Sequence, residues 1–191
     1  MNPISLLAPR FDHYITLERL HPSNTYYYKA RSKEGEALPE SVIEATLHKP
    51  KSTSGSWLYV VVPASASLAS LLAREKLYVG SQTSDRMFRG DGMNGRNFHH
   101  AEMRAGSGED NLISFLRSGR KVHIYHISAA SIAEGVAQTP SLSRYKRLLH
   151  QPPRRGKHVG KYFEQLILYN EGKEWRWNVA GAEDIGLLRT L

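Results

Sequence analysis

Three strand-length apolar runs constrain this chain most, because a β-branched and aromatic run too short for a buried helix is best buried as a strand in a covered sheet. WLYVVV, from Trp57 to Val62, is ended by Pro63. KLYVG follows from Lys76 to Gly80, and KVHIYHI, Lys121 to Ile127, sets Val122 and Ile124 in alternation with histidines. Helical segments separate and follow them. SASLASLLARE, Ser65 to Glu75, places Leu68, Leu71 and Leu72 on one face, and NLISFLRSG, Asn111 to Gly119, stops at a glycine. Further helices are expected at Ser141 to His150 and His158 to Asn170, joined by the proline-arginine loop QPPRRGK, with EDIGLLRTL as a last short one. This order predicts an α/β (α+β) fold: a small mixed, mainly antiparallel sheet flanked by helices.

The first 50 residues read as an N-terminal extension with its own strands, TYYYKAR (Thr25 to Arg31) and SVIEATL (Ser41 to Leu47). The stretch HKPKSTSGS, His48 to Ser56, clusters proline, glycine and serine as a boundary loop does. The expected division is therefore 1–50, an arm for DNA contact or dimerisation, and 51–191, the main domain. A chain of 191 residues buries a sizeable core without disulfides or structural metals. It has no cysteine, which excludes thiolate zinc sites and thiol nucleophiles and suits a reducing cytoplasm. The opening MNPISLLAPRFDHY is too briefly apolar for a signal peptide, and WLYVVVPA is too short to span a bilayer, so no membrane partner is expected.

Lysine and arginine number 26 against 18 acidic residues, a net charge of +8. The excess is concentrated. Between Arg144 and Lys161 stand Arg144, Lys146, Arg147, Arg154, Arg155, Lys157 and Lys161, with no acid among them. Such a patch attracts polyanions, since each phosphate contact releases condensed counterions. A solvated basic face is the plainer account, and charge alone does not choose between them.

Hydrolysis of a phosphodiester needs a cation on the phosphate, a group that orients or deprotonates water, a positive charge for the developing oxyanion, and a grip on the strand. One carboxylate in a basic neighbourhood can anchor a hard cation, with phosphate and water completing the oxygen shell. GKHVGKYFEQLILY has that character. Glu164 is a lone acid beside the apolar stripe of Phe163, Leu166 and Ile167, with Lys157 and Lys161 upstream.

The pair WLYVV and KLYVG resembles the two strands that name the GIY-YIG nucleases, with Tyr59 and Tyr78 in the tyrosine places and Gly80 closing the second. EQLILYNEGKEWRWN is similar to that family's later motif, here Glu164, Leu166, Ile167 and Asn178. Arg86 and Arg89 both fall near the family's arginine, and His99 or His100 near its histidine. The resemblance runs from about Trp57 to Asn178, and two features depart from it. The first motif reads SWLY, and the tyrosines stand 19 residues apart with a helix expected between them.

The resemblance implies a metal-dependent DNA endonuclease, of the site-specific type II restriction kind, acting on double-stranded DNA. Glu164 would hold one Mg²⁺ or Mn²⁺. Tyr78 would orient water, Tyr59 would bond within the same site, and Arg89 or Arg86 would meet the phosphate oxygens. His100 or His99 would relay a proton, and Asn178 would steady the glutamate helix by bonding to backbone. Arg96 and the basic residues from Arg144 to Lys161 would track the DNA backbone. Cutting both strands of a palindrome would favour a homodimer. The plainer accounts are a surface Glu164 paired with Lys161 three residues back, tyrosines that pack as strand residues, and a basic protein that binds nucleic acid without cutting it.

Overall fold

In the computed structural model the described residues are 3–20, 43–47, 54–65, 68, 75–84, 112–150 and 158–178. Five strands form one sheet: β1 (Asp12–Leu20), β2 (Ile43–Leu47), β3 (Ser54–Pro63), β4 (Tyr78–Ser84) and β5 (Val122–Ser128). Their order is β2-β1-β5-β3-β4, and every pairing among them is antiparallel. The α+β architecture expected from the order of runs is present. The helices are α1 (Pro3–Leu7), α2 (Leu112–Arg117), α3 (Ala129–Gln138), α4 (Lys146–Leu149) and α5 (Val159–Glu171). None of the helices among the described residues is long and apolar enough to cross a membrane.

Register decides which residues share a face. Tyr59 lies opposite Gly80 and Val61 opposite Tyr78, whereas Leu58 lies opposite Ser81 and Val60 opposite Val79. Because side chains alternate along a strand, these two sets point to opposite sides of the sheet. Tyr59, Val61 and Tyr78 pack with Tyr14, Leu17, Val122, Ile124 and the α2 residues Leu112, Phe115 and Leu116. Leu58, Val60 and Val79 pack with Ile4 and Leu7 of α1, Ile132 and Val136 of α3, and Tyr162, Phe163, Leu166 and Ile167 of α5. Helices thus cover both faces. β1 and β2, which come from the first 50 residues, extend the sheet beyond β5.

Several elements differ from expectation. β1 was not evident in the sequence because its pairing with β5 is irregular between His13 and Ile15. The inserted residue shifts the alternation, so Tyr14 and Leu17 reach the same core although they are an odd number of residues apart. The helix expected over Ser141 to His150 is instead a 3₁₀ segment, Pro140–Tyr145, followed by the single turn of α4. Pro140 starts this segment and its two serines compete for local backbone bonds, which suits the tighter turn. α3 begins where Ser128 caps it, its side chain accepting the Ser131 N–H at 3.1 Å. TYYYKAR, EDIGLLRTL and most of Ser65 to Glu75 lie outside the described residues.

The segment that follows α5 pairs with the residues leading into β4 and with Val79 of β4 itself. Lys76 and Trp175 form a parallel bridge, Trp177 N–H donates to the Leu77 carbonyl at 2.8 Å, and Arg176 N–H donates to that of Lys76 at 3.2 Å. Asn178 completes the seam. Its Oδ1 accepts the Val79 N–H and its Nδ2 donates to the Val79 carbonyl, each at 2.9 Å. Beneath the seam the Lys76 ammonium lies 2.5 Å from carboxylate oxygens of Glu171 and of Glu174. Burial lowers the Lys76 pKa, but the two carboxylates outweigh it and hold the group above its ordinary value.

Candidate functional site

The site predicted around Glu164 lies at the end of the sheet where β3 begins, β4 continues past its glycine and α5 starts. The first turn of α5 rests on β3. A Cβ at Gly160 would meet the backbone of Trp57, with its carbonyl carbon at 2.6 Å, and Ser56 Oγ at 3.0 Å. Glycine therefore lets helix backbone touch strand backbone. Ser56 Oγ accepts the Gly160 N–H at 2.6 Å and lies 2.6 Å from His158 Nδ1. His158 Nδ1 accepts the Lys161 N–H at 3.3 Å, so it carries no proton and the Ser56 hydroxyl donates to it. A neutral ring with Nδ1 accepting carries its proton on Nε2. Burial, then the charge of Lys161, lowers the His158 pKa from 6.5 to about 4.

One turn further on stands Glu164, 7% exposed. Its Oε1 accepts from Lys161 Nζ at 2.9 Å and from Gln165 Nε2 at 3.1 Å, while its Oε2 accepts the Ser81 hydroxyl. Ser81 directly follows Gly80 on β4. Two serines from neighbouring strands thus hold successive turns of α5, and the second fixes the carboxylate. Glu164 sits at the edge of a core as the functional reading expects, while its pairing with Lys161 is the one the plainer account named, although the carboxylate is buried and not at the surface.

The donor chemistry bears on a cation. Glu164 and Ser81 bring a carboxylate and a hydroxyl together, oxygen donors of the kind a hard divalent ion takes. Among the described residues no group of three or more His, Cys, Asp or Glu is placed to hold a metal ion. From the described residues such an ion would receive one carboxylate and one hydroxyl, so it would bind weakly until phosphate oxygens or water completed its shell. Both Glu164 oxygens are already engaged by Lys161, Gln165 and Ser81, so a cation would have to displace one of these donors.

The tyrosines are elsewhere. Tyr59 is 2% and Tyr78 is 3% exposed, both in the core on the face opposite α5. Their rings lie 6.0 Å apart, and the Tyr59 ring crosses Gly80, where a Cβ would also meet Tyr78 Cε1 at 2.8 Å. Gly80 is the residue that admits the aromatic ring. The structure does not bring the tyrosine hydroxyls and Glu164 into the single pocket expected from the sequence, because strand alternation sends Gly80 and Ser81 to opposite sides. His126 and Trp57 stack at 4.6 Å on the tyrosine face.

Asn178 does bond to backbone, but to β4 at Val79 and not to the helix of Glu164. Arg144, Lys146 and Arg147 are exposed on the 3₁₀ segment and α4, and Leu148 of α4 joins the core that α5 fills. Those cations are therefore carried by the element packed beside the glutamate helix. Arg86, Arg89, Arg96, His99, His100, Arg154, Arg155 and Lys157 lie outside the described residues. Ser56, Ser81 and His158 were not singled out by sequence. Ser81 was signalled by its place after the YVG strand, whereas nothing local ties Ser56 to a histidine 102 residues later.

Compared with protein-family models, curated proteins and solved structures, the chain matches none of them.

Proposed function

We propose that the chain is a metal-dependent DNA endonuclease hydrolysing phosphodiester bonds, a site-specific enzyme of the type II restriction kind acting on double-stranded DNA. The observation that carries this reading is the buried carboxylate of Glu164, held by Lys161 and by Ser81 where β4 leaves its glycine. Its support is chemical. A carboxylate and a hydroxyl can hold one Mg²⁺ or Mn²⁺, and neighbouring cations can hold the polyanion that supplies the remaining oxygens.

When bound, such an ion would polarise the phosphate and stabilise charge on the leaving oxygen. The chain's own residues do the rest. Ser81 fixes the carboxylate rotamer, while Ser56 and His158 seat the first turn of α5 and so set the height of Glu164 above β4. Arg144, Lys146 and Arg147 track the strand backbone without reading sequence. Proton relay and neutralisation of the oxyanion are assigned to His100 or His99 and to Arg89 or Arg86. Tyr59 and Tyr78, across the sheet, serve packing in this reading.

A second reading, a basic protein that binds nucleic acid without cutting it, draws on that same separation of Glu164 from the tyrosines. Supercoiled plasmid incubated with the protein in Mg²⁺, in EDTA, and with Glu164→Gln discriminates them. The nuclease cuts only in Mg²⁺, and the variant is slower by on the order of a thousandfold, the worth of several kcal/mol of charge stabilisation. Retention of plasmid on the protein with no nicking under any condition would establish the second reading. Labelled RNA of the same sequence tests the choice of DNA, and sedimentation with a cognate duplex tests the homodimer.

A further inference from the structure

At the end of β3 opposite Ser56, a hollow of about 270 Å³ is lined by Pro63, Ala64, Ser65, Arg120 and Lys121. Backbone bonds fix its walls. Gly119, in the left-handed region at φ 78°, ends α2. Its N–H donates to the Leu116 carbonyl at 3.1 Å, and the Arg120 N–H donates to that of Phe115 at 3.3 Å. One residue later the Lys121 carbonyl accepts the Ala64 N–H at 2.9 Å, which ties the turn after α2 to the end of β3. Within this frame the Arg120 side chain folds back. Its guanidinium carbon lies 3.8 Å from the centre of the Phe115 ring, and its Nη2 donates to Glu75 Oε1 at 3.1 Å. The same oxygen accepts from Arg176 Nη1 at 3.1 Å, so two guanidinium groups share one carboxylate oxygen.

Stacking and the ion pair hold this guanidinium in a set plane, and the bond to Glu75 is the only one it makes among the described residues. Most of its N–H groups are left for a ligand, with 47% of the side chain accessible. A planar donor set oriented before binding loses little rotamer freedom on binding, and its forked geometry matches phosphate oxygens. Lys121 is exposed and brings a second cation to the same hollow, which favours a doubly charged group over a phosphodiester. Pro63 and Ala64 offer an apolar surface to whatever carries that group. The hollow is smaller than those that enclose drug-sized ligands, so the ligand is small or enters by one end. We infer that this hollow is an anion site for a phosphate monoester. Arg120 bonds the phosphate oxygens, Lys121 adds charge, the Ser65 hydroxyl supplies a neutral donor, and Pro63 and Ala64 meet the carbon-bearing part. The site lies at the other end of β3 from Glu164 and does not depend on the nuclease reading.

Titration of the full chain with phenyl phosphate, followed by amide NMR shifts, tests this. Saturable shifts are expected at Ala64, Ser65 and Lys121. Arg120→Gln should weaken binding roughly ten- to hundredfold, the worth of hydrogen bonds to a charged group. Arg120→Lys keeps the charge and loses the fork, so it should recover only part of that loss. Arg144→Gln, a cation on another element, should bind as the native chain does. Circular dichroism checks folding, and if Arg120→Gln does not fold, the comparison of native chain with Arg120→Lys decides. One short oligonucleotide, made with a 5′-phosphate and with a 5′-hydroxyl, identifies the source. A gain from the 5′-phosphate that vanishes in Arg120→Gln assigns the site to a nucleic-acid end. Equal binding of the two, with phenyl phosphate still bound, assigns it to a free small ester. The inference is overturned if phenyl phosphate gives no saturable shifts at those amides, or if the Arg120 variants bind it as tightly as the native chain. It is also overturned if Arg144→Gln weakens binding as much as Arg120→Gln does.

Discussion

Gly160→Ala sets two effects of opposite sign against each other. In an exposed helix, alanine is favoured over glycine by about 1 kcal/mol, so a helix α5 that merely lay near the sheet would be stabilised. Here the added Cβ would come within 2.6 Å of the Trp57 carbonyl carbon, in the backbone of a central strand and not at the end of a flexible side chain. Helix and strand must separate, and overpacking of this sort costs about 1–3 kcal/mol. Separation also stretches the 2.6 Å bond from Gly160 N–H to Ser56 Oγ, a further loss of about 1 kcal/mol. The net expectation is a destabilisation of about 1–3 kcal/mol, or a fall in Tm of roughly 3–10 °C for a chain of this size. Urea unfolding followed by tryptophan fluorescence reports it, since Trp57, Trp175 and Trp177 are all buried. A variant as stable as the native chain, or more so, would refute the contact between α5 and β3 and with it the placement of Glu164 over Ser81.

Tyr78→Phe separates the two faces of the sheet: plasmid cleavage should stay within about tenfold of native, and a loss on the order of a hundredfold or more would move the chemistry to the tyrosine side. Lys76→Met leaves the Glu171 carboxylate, 8% exposed, without its cation, and should lower unfolding free energy by about 3–5 kcal/mol in urea melts. His158 gives a pH signature. Its folded pKa of about 4 lies below the ordinary 6.5, so its share of stability is complete above pH 6.5 and lost as pH falls through 4. Denaturation midpoints of the native chain and of His158→Asn should therefore converge across that interval; parallel curves would show that the ring is not held neutral.

The sequence was most legible where a run was continuous and its period unbroken. The run Trp57–Val62 lies within β3, the run Lys121–Ile127 is β5 within a residue at either end, and so is the helix expected from His158 to Asn170, which is α5. Glu164 was recognisable as a core-edge acid because its neighbours Phe163, Leu166 and Ile167 mark the buried stripe. β1 was hidden by its irregular pairing, and α3 by a small-residue sequence, AASIAEGVAQ, whose Ile132 and Val136 leave only a thin apolar stripe. The site was half legible for a different reason. Gly80 and Ser81 are adjacent in sequence, and whether a neighbour of the glycine faces the tyrosines or the helix depends on strand register, which no local pattern states. The Ser56–His158 contact depends on how β3 and α5 meet, so it lay beyond any reading by motif.

The pairing of Asn178 with Val79 governs what this sheet can join. A side-chain amide carries the same donor and acceptor as a peptide unit, so it satisfies Val79 as another strand would while offering no chain along which pairing could propagate. With Trp177 and Arg176 occupying the carbonyls of Leu77 and Lys76, that margin is closed to strand addition through Val79. Strand addition at that stretch is therefore blocked, and damage to one asparagine would expose a sticky border the fold otherwise conceals.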